Sequence, residues 1–79
     1  MTNKDDKISI KIGLKIKLLR TKFGMSQEDL GAKANLNKNS IGSIERGEKS
    51  PSIDTLNQIA QALEITLSDL VDVSKINLL

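Results

Sequence analysis

The side chains best placed to do chemistry in this chain are Lys38, Asn39, Ser40 and Ser43, a run of polar groups broken only by Ile41 and Gly42. Ile41 and Ile44 stand three apart, which on a helix puts both isoleucines on one face and the polar set on the other. Lysine can donate to guanine O6 and N7, an asparagine amide can pair with adenine through two bonds, and serine hydroxyls are permissive. That is a chemistry of reading base edges, not of making or breaking bonds. Catalysis has little to stand on, because the chain contains no His and no Cys. No imidazole base, thiolate ligand or disulfide is available. No spacing forces two carboxylates together, no nucleophile has a base beside it, and no glycine-rich phosphate loop or metal-ligand cluster occurs. The chain reads as a non-enzyme without cofactor, metal or small-molecule ligand.

Readers of this kind need a scaffold that holds their helix at a surface, and residues 26–47, SQEDLGAKANLNKNSIGSIERG, supply it. Ser26 can cap a first short helix, and Asp29 three positions on completes a capping-box spacing. Leu30 and Ala34 share one face of that helix. Asn35 occupies the left-handed position that would end it, and Leu36 plugs the corner. Asn37 caps the second helix, which Gly47 stops. Two short helices across a three-residue turn form a helix-turn-helix, with a polar second helix suited to the DNA major groove.

This pattern resembles the Cro/repressor (XRE-type) helix-turn-helix family, over residues from about 12 to 71. The resemblance is carried by the SQEDL opening, the apolar set Leu30, Ala34, Leu36, Ile41 and Ile44, the IERG ending, and SPSIDTLNQIAQALEITLSDL after it. It implies an all-α, five-helix, lambda-repressor-like DNA-binding domain that regulates transcription. It places base contacts on Lys38, Asn39, Ser40 and Ser43, and a backbone phosphate on Gln27, where the helix N-terminus also favours an anion. Arg46, Lys49 and Ser50 are further phosphate candidates. Asn37 has two readings, helix cap and backbone contact. The resemblance also pairs Arg20 with Glu45 as a structural ion pair. Two positions depart from the family: Gly31, where alanine is usual, and Asn35, where glycine is usual. Gly31 keeps the contact small but costs about 1 kcal/mol of helix propensity.

The remaining elements follow from periodicity and caps. Residues 1–9 read as a flexible N-terminal arm, with Ser9 the cap of an opening helix over residues 10–23. Ile12, Ile16, Leu19 and Phe23 make its core face, and Leu14 and Leu18 form a second apolar pair. A fourth helix over residues 53–63, capped by Ser52, turns Ile53, Leu56, Ile59, Ala60 and Leu63 inward. Thr66 caps a fifth over residues 67–71. The domain spans residues 10–71, and residues 72–79 are a tail carrying Val73, Ile76, Leu78 and Leu79.

Charge is uneven along the chain. Residues 1–22 hold seven Lys/Arg against two Asp, residues 23–51 balance four against four, and residues 52–79 hold one Lys against four acids. That polarity suits orientation on a polyanion, though a charge run alone is more often a solvated face. No apolar run is long enough to span a membrane and the N-terminus lacks a signal-peptide core, so a cytoplasmic protein is expected.

A single helix-turn-helix reads about half a turn of DNA, so a homodimer on a (pseudo)palindromic operator is expected. Leu67, Leu70, Val71, Val73 and Ile76 are its expected interface; the alternative is a tail folded back over Leu14 and Leu18. Such a regulator acts on RNA polymerase as activator or repressor. By resemblance it is similar to restriction–modification controllers and phage or mobile-element repressors. The competing reading is an antitoxin-like protein-binding module, supported by Leu14, Leu18, Ile76, Leu78 and Leu79.

Overall fold

A computed structural model describes residues 4–77, with side chains from Ile8 onward. Among these residues the chain forms five helices and no strand: α1 (Lys4–Lys22), α2 (Gln27–Ala34), α3 (Lys38–Glu45), α4 (Ile53–Ala62) and α5 (Leu67–Val71). The last four match the sequence reading to within a residue. The first does not. It is helical from Lys4, so Ser9 lies inside α1 and caps nothing. Ser9 is buried, and its Oγ sits 2.8 Å from Ser50 Oγ, a bond either hydroxyl can donate. The arm assigned to residues 1–9 is therefore helical from Lys4 onward, and residues 1–3 lie outside the described residues.

Local chemistry sets the other helix ends. The Asp29 N–H donates to Ser26 Oγ and the Ser26 N–H donates to Asp29 Oδ2, both at 2.9 Å, so the capping box is complete. Asn35 takes a left-handed conformation, φ 60°, and the Leu36 N–H donates to Gly31 O at 2.8 Å to close α2. Asn37, Ser52 and Thr66 accept from the N–H groups of Ser40, Thr55 and Asp69 to start α3, α4 and α5. Gly24 and Gly47 turn the chain out of α1 and α3, each at φ 74°.

The capping box carries a pH signature. Its bonds, that from the Ser26 main-chain N–H foremost, hold the Asp29 carboxyl below its ordinary value of 3.8. Folded Asp29 thus stays ionised at acidities that protonate it in the unfolded chain. Its contribution is full above the unfolded carboxyl range and is lost as pH falls through the folded value. An Asp29→Asn chain should melt below the parent near neutral pH, and the gap should close in acid as the folded carboxyl takes up its proton. A gap that persists in acid means the charge is not what the cap uses.

The core joins Ile12 and Ile16 of α1, Leu30 and Ala34 of α2, Ile41 and Ile44 of α3, and Leu56, Ile59 and Ala60 of α4. Three expected placements are corrected. Phe23 is 44% exposed, because α1 ends at Lys22 and the turn at Gly24 carries the ring off the helical stripe. Ile53 is 66% exposed, because the inward face of α4 starts a turn later, at Leu56. Leu70 is fully buried in its own protomer and offers no surface to a second copy. Helix α5 packs on α1 and α4, and Leu67 and Val73 rest against the same core. Lys15 Nζ of α1 donates to the carbonyls of Asp69 and Asp72 at 2.9 and 2.7 Å, tying down the end of α5. Cations near exposed helix carbonyls are favourable for the same reason. The chain after α5 thus begins by folding against its own helices, while Val71 stays exposed and Ile76 half-buried. Leu78 and Leu79 lie outside the described residues.

Candidate nucleic-acid interface

Helices α2 and α3 pack against each other. Lys38 and Asn39 stand exposed in the first turn of α3. Ser40 and Ser43 are half-buried on its flanks, and Ser40 lines a shallow depression with Leu36, Ile44, Pro51 and Thr55. Asn37 is used as a cap: its Oδ1 accepts the Ser40 N–H at 2.8 Å, so its carbonyl end is occupied. Lys49 is exposed in the loop after α3. Ser50 is exposed as well, but its hydroxyl is engaged by Ser9.

Behind this surface lies a charged network. Arg20 Nε donates to Glu45 Oε2 at 2.6 Å and Nη2 to Oε1 at 3.1 Å, a fork that matches the carboxylate on both oxygens. The two side chains are 10% and 3% exposed. Arg20 Nη1 donates to Met25 O at 2.8 Å, so the guanidinium also pins the turn before α2. The hydrogen bond to Glu45 holds the Arg20 pKa above its ordinary value, outweighing the opposing effect of burial. The expected ion pair is thus present, joining α1 to the last residue of α3.

Gln27, expected at a phosphate, is tied to the same carboxylate: its Nε2 donates to Glu45 Oε1 at 3.1 Å. The sequence reading missed this link, because eighteen residues separate the two and no periodicity relates them. It also missed Gly42. A Cβ there would lie 3.1 Å from Arg46 Nη1 and 3.5 Å from Gln27 Oε1. Both side chains thus lie against the backbone of α3 at this glycine.

Arg46 is not an isolated cation. Its Nε and Nη2 donate to the two Glu48 oxygens at 2.9 and 3.1 Å. The bond raises the Arg46 pKa and holds the Glu48 carboxyl below its usual range. Both side chains are more than half exposed, and exposed pairs are weak, so a phosphate can compete with Glu48 for the guanidinium. Among the described residues no cluster of carboxylates could hold a metal ion, and no helix is long and apolar enough to cross a membrane. The arrangement presents hydrogen-bond donors and acceptors to a surface rather than to an enclosed substrate.

Comparison with known proteins agrees with this geometry. The helix-turn-helix family model HTH_3 matches residues 16–70. The control protein C.BamHI of Bacillus amyloliquefaciens is 36% identical over 77 residues, covering 96% of this chain and 91% of its own. The restriction–modification controller protein C.AhdI of Aeromonas hydrophila superposes with a TM-score of 0.77 at 34% identity, over 78% of this chain and 94% of its own. C.Esp1396I bound to a 25 base pair operator site superposes with a TM-score of 0.78 at 33% identity, over 86% of this chain and 91% of its own. Family match and five-helix fold agree: this chain belongs to the HTH_3 (XRE-type) helix-turn-helix family of non-enzymatic, DNA-binding transcription regulators.

Proposed function

We propose that the chain is a restriction–modification controller-type regulator that binds a pseudo-palindromic operator as a homodimer and acts on RNA polymerase there. The observation that carries this reading is the exposed first turn of α3, where Lys38 and Asn39 face outward. It is supported by the likeness to C.BamHI along nearly the whole chain and to a controller bound to its operator. Lys38 and Asn39 read bases, with Ser40 and Ser43 beside them. Gln27, Arg46, Lys49, Ser50 and the amide end of Asn37 hold phosphates. Selecting bound duplexes from a random-sequence pool and footprinting the winner tests this. A two-fold symmetric footprint is expected, with affinity falling steeply as salt rises, because phosphate contacts release counterions. Failure to enrich any sequence would favour the protein-binding alternative.

Lys38→Ala and Asn39→Ala should each relax base preference at one or two operator positions, costing about 1–3 kcal/mol per lost bidentate contact. If both variants keep the parental preference at every position in a repeated selection, α3 is not the reader.

For the dimer, burial of Leu70 shifts the proposed contact to the exposed edge of α5 and the segment after it, with Val71 and Ile76 foremost and Leu67 and Val73 behind them. A charge at Val71 is solvated in the monomer but buried in such an interface, which is costly. Val71→Glu, paired with Ile76→Glu, should therefore sediment as a folded monomer at micromolar concentration. A folded dimer would move the interface elsewhere.

A further inference from the structure

Glu45 receives more than its ion-pair partner. Its Oε1 accepts both Arg20 Nη2 and Gln27 Nε2, each at 3.1 Å, while Oε2 takes Arg20 Nε. A carboxylate only accepts, so the Gln27 amide must turn its nitrogen towards Glu45 and its oxygen away. One N–H is then committed and the direction of the second is fixed. The amide is half-buried and lies against the backbone of α3 at Gly42. Arg20 matters here through its charge. An unpaired Glu45 carboxylate next to Gln27 would repel a phosphate, whereas the fork with Arg20 leaves the network neutral.

We infer that Glu45 is a positioning residue for DNA binding, holding the Gln27 amide so that its second N–H faces the phosphate backbone. This rests on the phosphate role proposed for Gln27 and adds to it the part that sets its direction. A glutamine free in solution has several rotamers and two amide orientations, and ordering them on binding weakens affinity. Prior fixing by Glu45 removes that loss. The role is separate from joining α1 to α3, which Arg20 and Glu45 do without Gln27.

A double-mutant cycle separates the two roles, using the duplex recovered by selection as probe at a temperature where circular dichroism shows every variant folded. Gln27→Met removes the amide at similar length; Glu45→Gln puts an N–H₂ where one acceptor oxygen was. Each single change should weaken binding about five- to tenfold, near the net value of one ordinary hydrogen bond. The double variant should bind no worse than the weaker single, because both disable one contact. If the losses multiply, the inference falls while the phosphate contact stands. If Gln27→Met binds like the parent, the phosphate role of Gln27 falls, and the inference with it. Should Glu45→Gln fail to fold, the parent alone decides through NMR exchange of side-chain amide protons. One Gln27 Nε2 proton should exchange with solvent far more slowly than those of exposed Gln61. Equal exchange overturns the inference.

Discussion

A chain carrying Glu45→Ala should melt far below its parent before any DNA is present. Arg20 would keep its bond to Met25 O but lose a fork that satisfied two of its donors. Its guanidinium is nearly enclosed, so it must either stay buried without a counter-charge or be forced out to solvent. Removing one partner of a buried pair costs about 3–5 kcal/mol. A folded chain of this length has roughly 4–12 kcal/mol in all. At about 4–8 °C per kcal/mol for a domain this small, the midpoint should fall by tens of degrees. Leucine at both positions should recover much of the loss, since an apolar pair of similar volume avoids the cost of desolvating charges. An unchanged midpoint for Glu45→Ala would show that the pair does not hold the fold.

The second large effect is expected at Gly13. Helix α1 crosses the end of α3 so closely that a Cβ on residue 13 would press into Ile44 O and lie 2.8 Å from Glu45 O. Both obstacles are main chain, so no side-chain rotation relieves them. Gly13→Ala gains up to about 1 kcal/mol of helix propensity but forces the helices apart. Overpacking of this kind costs about 1–3 kcal/mol, and more where the backbone must move. The same shift would stretch the Arg20–Glu45 fork, so stability should fall. Thermal melting beside a Lys17→Ala control on the exposed face of α1 tests it. A Gly13→Ala chain that melts above the parent would mean the helices stand apart.

What was legible in the sequence, and what was not, divides by range. Helix starts at Ser26, Asn37, Ser52 and Thr66 are local events, each a side chain bonding an N–H three residues on, and spacing reveals them. The left-handed turn at Asn35 is likewise a property of the residue. The Arg20–Glu45 pair was reached only through family resemblance, because nothing in spacing joins α1 to α3. Ser9 has a partner forty-one residues away, so local reading gave it the cap role that its type allows. Leu70 looked surplus to a core of four helices, yet α5 packs into the angle between α1 and α4 and buries it. Gly31 is the sharpest case. Propensity values alanine there, but a Cβ would lie 2.5 Å from Leu36 O, since the turn closes back over α2. In this chain an alanine at the corner would force the turn to shift, a constraint invisible until the carbonyl is located.

The crossing at Gly13 and the fork at Glu45 bind α1 to α3, the proposed reading helix, at two adjacent points, one steric and one ionic. Such a joint leaves α3 no independent hinge. A reading head that cannot adapt passes the work of fitting to the double helix. Operators that share every contacted base should then differ in affinity according to how readily their uncontacted steps bend or narrow. Flexible pyrimidine–purine steps at the centre of a site would be favoured and stiff ones penalised. The stiffness of a protein joint would in this way be written into bases that no side chain touches.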